Sequence, residues 1–158
     1  LGYFKLDDDR LFIADYLDGS MHLNNYLSTL QDPGQKKQAL KILAGWLRKV
    51  HLHKVWQRDF KSRNVLWHEM EYYLLDLEGV RIRALSWNKR IVNLAQLNAS
   101  ISHEINLKDR LRFFHYYSMA EKLPRDQRRA IYEKIWEISK TKSTEKYDLD
   151  LENLKPQK

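Results

Sequence analysis

The 158-residue sequence contains no cysteine. That excludes a disulfide-stapled scaffold and a thiolate zinc site, and it leans towards a reducing compartment. No apolar run approaches the roughly 20 residues that a membrane-spanning helix requires. No secretory leader with a basic start and an apolar middle is visible. The sequence opens on Leu1, not on an initiator methionine, and its first residues already have a strand pattern. A bare start would leave a strand edge unpaired, so the expectation is a chain that begins within a domain. There is no internal repeat and no His-Glu-x-x-His pair.

What is present suits one domain with a real core. Hydrophobic residues make up 43%, with five Trp and nine Tyr, which argues against wholesale disorder. The formal charge is +7 and the pI about 9.5. That excess describes either a solvated basic surface or a site for an anionic partner: nucleotide, phosphorylated glycan, acidic lipid or nucleic acid. Charge alone does not rank them.

Strands are expected over Gly2 to Leu6 and Arg10 to Tyr16, with an acidic turn at Asp7-Asp8-Asp9, and a short helix over Met21 to Leu30. Asp32-Pro33-Gly34-Gln35 is a strong helix start, with Asp at the N-cap and Pro at the first helical position. That helix should run to about His53, with Leu40, Leu43, Ala44, Leu47 and Val50 at helical spacing. Asn64 to His68 and Glu71 to Leu75 form a plausible hairpin, and Val80 to Leu85 another extended piece. Further helices fit the segment from about Trp87 through Ile101, then Leu107 to Lys122 and Asp126 to Lys140. The expectation beyond is a mobile charged tail.

Between the long helix and the hairpin lies Gln57-Arg58-Asp59-Phe60-Lys61-Ser62-Arg63-Asn64. Asp59 suits accepting or orienting an attacking hydroxyl, and Lys61 suits holding a transferring phosphoryl group. Asn64 and Asp76 offer the oxygen donors that Mg²⁺ prefers. The five residues from Asp59 to Asn64 allow both to point into one cleft, and the seventeen from Asp59 to Asp76 allow a hairpin to return beside its start. The bland alternative is a set of ordinary polar loop residues.

This pair of segments resembles the catalytic loop (His-Arg-Asp-x-x-x-x-Asn) and metal-binding turn (Asp-Phe-Gly) of protein-kinase-like phosphotransferases. The resemblance implies an α+β, mainly helical fold: a kinase-like C-terminal lobe with a short β start and a catalytic-loop hairpin. It also implies ATP and Mg²⁺ as cofactors, with Asp59 and Lys61 catalytic and Asn64 and Asp76 on the metal. Leu11 to Gly19 resembles the strand and hinge that hold adenine, which places backbone groups of Ala14, Asp15 and Tyr16 at the nucleotide. The implied divisions are residues 1–17 for the end of the N-lobe sheet and hinge, 18–141 for the C-lobe and 142–158 for the tail. No glycine-rich phosphate loop, strand Lys or helix Glu is found in these residues, so the expectation is a C-terminal lobe with the N-terminal lobe largely missing from the given sequence. These 158 residues alone are expected to transfer phosphate poorly.

Only about ten residues separate Asp76 from the helix near Trp87, too few for the platform on which peptide kinases dock substrates. Asp76-Leu77-Glu78-Gly79-Val80-Arg81-Ile82-Arg83, then Trp87, Arg90, Asn93 to Ser100, and Arg112-Phe113-Phe114 with Tyr117, resemble the lipopolysaccharide core kinases. These Kdo and heptose kinases belong to Gram-negative bacteria. The resemblance implies phosphorylation of a sugar hydroxyl in the lipopolysaccharide inner core or a lipid A precursor glycan. It places the protein in the cytoplasm, peripheral at the anionic inner-membrane surface. Two residues depart from the pattern. Gln57 stands where kinase loops usually have His or, in this family, another polar residue. Asn93 stands where the family often has the Asp that braces the loop from behind, and that loss points to a less rigid loop.

Other readings remain beside this one. A non-catalytic kinase-like binding module would carry the same residues without a nucleotide-binding lobe. His51 and His53 are two apart on a helix and so do not share a face for a metal; His51 is expected to pack within the approach to the loop. Lys122, Arg125, Arg128, Arg129 and Lys134, interleaved with Tyr132 and Trp136, make a possible nucleic-acid face. The same pattern fits a solvated side opposite a stripe of Ala130, Ile131, Ile135 and Ile138, and nucleic acid is the less favoured partner.

Overall fold

A computed structural model describes residues 2–6, 9–13 and 16–144. Strands β1 (Gly2–Leu6) and β2 (Asp9–Ile13) pair antiparallel, with Gly2 opposite Ile13. The second strand was expected to reach Tyr16, which is not in a strand. Turn residues Asp7 and Asp8, hinge residues Ala14 and Asp15, and the tail from 145 lie outside the described residues.

Strand β3 is only Met21–His22, and helix α1 runs Leu23–Thr29. Met21 and His22, expected in the helix, instead pair with Trp67 and Leu66. The hairpin of β5 (Val65–His68) and β6 (Glu71–Leu74) claims their backbone bonds, so a three-stranded sheet forms in the order β3-β5-β6. Its turn is two residues, Glu69 and Met70, with φ of 44° and 68°. Both left-handed positions match the turn that tight hairpins favour, here without the usual glycine.

Helix α2 (Pro33–Leu52) starts where Asp32 accepts a hydrogen bond from Gln35 N–H at 2.7 Å. Its buried stripe is Ala39, Leu40, Leu43, Ala44, Leu47 and His51; Val50 is half-buried. Lys54 ends the helix at φ 64° and turns the chain into β4 (Val55–Gln57). Sequence analysis missed this strand. It pairs with β7 (Val80–Ile82), which carries the extended segment expected there.

Helices α3 (Trp87–Ser100), α4 (Leu107–Met119) and α5 (Arg125–Thr144) complete the body, with α3 against α5 and α2 against α4. Helix α5 runs to Thr144, three residues into the segment expected as tail. Nothing from Thr141 to Thr144 is a helix breaker. Ala130 is exposed instead of sitting in the α5 stripe, while Ile135 and Trp136 are buried. Buried Arg110 fastens the α3–α4 connection, donating to the carbonyl oxygens of Asn98, Ile101 (3.1 Å), Ser102 (3.0 Å) and Ile105 (2.7 Å). Its charge satisfies carbonyls that the end of α3 leaves without partners. Burial pulls its pKa down to about 10.

Candidate active site

The loop after β4 is closed by its own backbone. Lys61 N–H donates to Asp59 O at 2.9 Å, Asn64 N–H to Lys61 O at 2.9 Å, and the Asn64 side-chain amide to Asp59 O at 3.0 Å. These bonds draw Asp59, Lys61 and Asn64 together as the spacing predicts. Lys61 Nζ lies 2.6 Å from Asp59 Oδ2, and Arg63 Nη2 lies 3.8 Å from the same oxygen. The Asp59 side chain is 37% exposed and that of Lys61 14%, so a carboxylate at the surface leans on a largely covered ammonium.

One face of α3 holds this loop by its peptide groups. Asn93 donates to Gln57 O at 2.6 Å and accepts from Gln57 N–H at 3.4 Å. Gln96 donates to Arg58 O at 2.6 Å and accepts from Phe60 N–H at 3.2 Å. Ser100 Oγ accepts from Ser62 N–H at 2.9 Å, and its carbonyl accepts from Ser62 Oγ at 2.6 Å. Positions 93, 96 and 100 share a face because they are three and four residues apart. Asn93 therefore does brace the loop, contrary to the looser attachment expected from the loss of Asp. An amide both donates and accepts, so it satisfies two groups of Gln57 where a carboxylate could only accept. Sequence analysis did not single out Gln96 or Ser100. Their signal was a polar set at helical spacing beside the apolar Ile91, Leu94 and Ala95.

The acidic turn lies against the loop. Leu75 N–H donates to Asn64 O at 2.8 Å, and Arg58 N–H to Gly79 O at 2.9 Å. Gln57, buried in the position where kinase loops usually have His, donates its side-chain amide to Asp76 O. A Cβ on Gly79 would come within 2.0 Å of Gln57 Oε1, so this glycine is required by close approach. Asp76 itself has φ 56° and ψ 65°, a left-handed conformation that Asp tolerates better than most residues. Its carboxylate forms no hydrogen bond or ion pair among the described residues. Asn64 spends its NH₂ on Asp59 O, which leaves Oδ1 as its acceptor. Two hard oxygen donors, one charged, fit Mg²⁺, which takes one or two protein oxygens and fills its remaining positions with phosphates and water.

Behind the loop is a buried polar chain. Asn93 Oδ1 lies 3.4 Å from His51 Nε2, and His51 Nδ1 lies 2.6 Å from the Tyr117 hydroxyl. Asn93 can only accept through Oδ1, so Nε2 carries the His51 proton and Nδ1 accepts from Tyr117. Burial pushes the His51 pKa down to about 4, with Arg90 helping and the Asn93 bond opposing. Burial likewise raises the Tyr117 hydroxyl. Glu121 then ties Arg48 (3.2 Å) and Arg90 (3.3 Å) together nearer the surface. His51 thus packs at the loop as expected, and exposed His53 bonds only Lys49 O among the described residues.

Of the proposed hinge residues only Tyr16 is described, and it is 88% exposed. No group of three or more His, Cys, Asp and Glu residues able to hold a metal occurs among the described residues. On α5, Trp136 is buried and stacks with half-buried Tyr132, so these aromatics face inward, away from the basic side. No described helix is long and apolar enough to cross a membrane.

A helical lobe that presents an Asp-x-Lys-x-x-Asn loop beside an acidic turn has the build of a kinase-like phosphotransferase. Over residues 9–117 the chain matches the family described as lipopolysaccharide kinase (Kdo/WaaP), and it belongs to that family. A solved structure, WaaP in complex with acyl carrier protein, shares the fold. The two superpose with a TM-score of 0.69 at 20% identity, over 93% of this chain and 67% of that one. No curated protein matches the chain.

Proposed function

We propose that the chain is the phosphotransfer lobe of an ATP- and Mg²⁺-dependent kinase acting on a sugar hydroxyl, Kdo or heptose, of the lipopolysaccharide inner core. The observation that carries this reading is the Asp59 carboxylate, fixed through its backbone to α3, paired with Lys61 and set beside the unpaired Asp76. Asp59 orients the acceptor hydroxyl and takes its proton. The hydroxyl oxygen forms a bond to the γ-phosphorus as the bond to the β-phosphate oxygen breaks, and ADP leaves with that electron pair. Lys61 turns from Asp59 to the transferring phosphoryl group. Asn64 Oδ1 and Asp76 would hold Mg²⁺, which neutralises phosphate charge when bound. Ala14, Asp15 and Tyr16 are assigned to the adenine hinge, residues 18–141 to the C-lobe, and the protein to the cytoplasmic face of the inner membrane.

The test is Asp59→Asn in the native full-length protein. Transfer to lipopolysaccharide core acceptors should be lost while ATP binding persists. Unchanged transfer would remove Asp59 as the base. A wild-type protein that binds core glycan but turns over no ATP would instead be the non-catalytic binding module.

A further inference from the structure

The ribbon formed by β4 and β7 leaves the site on the side away from the hairpin and is strongly cationic. Its register sets Trp56 opposite Arg81, and the Lys54 carbonyl accepts from Arg83 N–H at 2.8 Å. Residues two apart on a strand share a face, so Arg81 and Arg83 lie on the Trp56 side, while Val55 and Ile82 take the other. The Arg83 guanidinium carbon lies 4.7 Å from the Trp56 ring centroid, and Lys89 Nζ, from the first turn of α3, lies 5.0 Å from the same ring.

Two like charges thus converge on one indole, with exposed Arg81 and Lys54 as neighbours. None of these four cations forms an ion pair with a carboxylate among the described residues. Cation–π attraction holds Arg83 and Lys89 in place, and the Arg81 guanidinium donates to the carbonyl oxygens of Glu78 (3.0 Å) and Val80 (2.8 Å), but none of these contacts neutralises a charge. An unneutralised cluster of this kind attracts an anion.

Its position says which anion. Trp56 is three residues before Asp59, and Arg58 N–H bonds Gly79 O where the ribbon meets the acidic turn. Asn64 and Asp76, the donors assigned to the metal and its phosphates, belong to the hairpin end. The ribbon is left for the second substrate.

We propose that the Trp56, Arg83 and Lys89 face, flanked by Arg81, is a subsite that binds a carboxylate or phosphate of the acceptor glycan. This rests on the sugar-kinase reading and adds to it a subsite and a charge requirement.

The test titrates the full-length protein with glucose 1-phosphate, and with neutral glucose as control, while following the Trp56 indole N–H resonance, assigned with Trp56→Phe. The expected result is a saturable shift with the phosphosugar at about millimolar concentration, none with glucose, and affinity at least tenfold weaker in Arg83→Gln/Lys89→Gln. Both altered residues are exposed, so the double variant retains the fold. Equal shifts with both sugars, no shift, or a shift that survives in the double variant would overturn the proposal. So would binding to phosphatidylglycerol vesicles that the double variant loses without any response to glucose 1-phosphate; that result assigns the face to a bilayer. Phosphoryl transfer is measured on the same preparation. Transfer without phosphosugar binding sinks the subsite alone, and variant-sensitive binding without transfer to any glycan sinks the kinase reading alone.

Discussion

Gln96 holds Asp59 in place without a hydrogen bond to its carboxylate. The Gln96 amide bonds the carbonyl of residue 58 at 2.6 Å and the N–H of residue 60 at 3.2 Å, so both peptides flanking Asp59 are fixed to one side chain on α3. Gln96 in turn accepts from Asn93 at 3.1 Å, which fixes the orientation of its own amide. Asp59 is thereby aimed by groups that need not contact the substrate.

Gln96→Ala should separate aim from affinity. We expect kcat on core glycan to fall by about 10- to 100-fold, with KM for ATP nearly unchanged. Three hydrogen bonds lost at a buried site should cost about 1–3 kcal/mol of stability. Steady-state kinetics and urea unfolding read the two effects. A loss confined to stability would make Gln96 a packing residue.

His51 predicts acid sensitivity of the fold. Burial holds its pKa in the folded protein at about 4, below the 6.5 of an ordinary imidazole, so the unfolded chain binds the extra proton first. Stability from this group is therefore present above pH 6.5 and falls as the pH drops towards 4. Between pH 7.5 and 5 the loss should be about 2 kcal/mol. Unfolding curves of wild type and His51→Gln at the two pH values test this; the variant should show a slope smaller by that amount.

Gly79→Ala should act through Gln57. The new methyl would displace the Gln57 amide from Asp76 O, at a cost of about 1–3 kcal/mol. In a Gln57→Ala background the space is open, and the same substitution should cost much less. A double-mutant cycle by thermal or urea unfolding measures the difference, and additive effects would contradict the close approach.

Asp76→Gly should trade function for stability. Glycine enters the left-handed region without penalty, so stability should hold or rise by up to about 1 kcal/mol. Transfer should be lost with the carboxylate. Asp76→Asn should keep the turn and raise the Mg²⁺ concentration for half-maximal activity at least tenfold. Activity titrations against Mg²⁺ check both.

Much of this arrangement is legible from local chemistry. Asp32, Pro33 and Gln35 mark the start of α2 because capping is settled within four residues. Asp59, Lys61 and Asn64 are recognisable because their spacing is that of a compact loop. Strand β4 was not, since three residues beside a helix end become a strand only by pairing with a segment 25 positions away (56 to 81). Likewise Met21 and His22 follow their hairpin partners and not local propensity. The roles of Gln96 and Ser100 depend on which helix faces the loop, which no local pattern specifies. Asn93 misled because the expected Asp suggested charge where the site requires a donor and an acceptor.

Helix α3 addresses the loop mainly through N–H and C=O groups, which almost every amino acid carries. The exposed Arg58 side chain can therefore be exchanged without cutting these tethers while Asp59 stays in register, whereas Phe60 is buried in the core and is held to an apolar side chain. The exception is proline, which lacks the N–H used at Gln57, Phe60 and Ser62. The loop is an interchangeable cartridge in a fixed socket, and three of its pins are amide hydrogens.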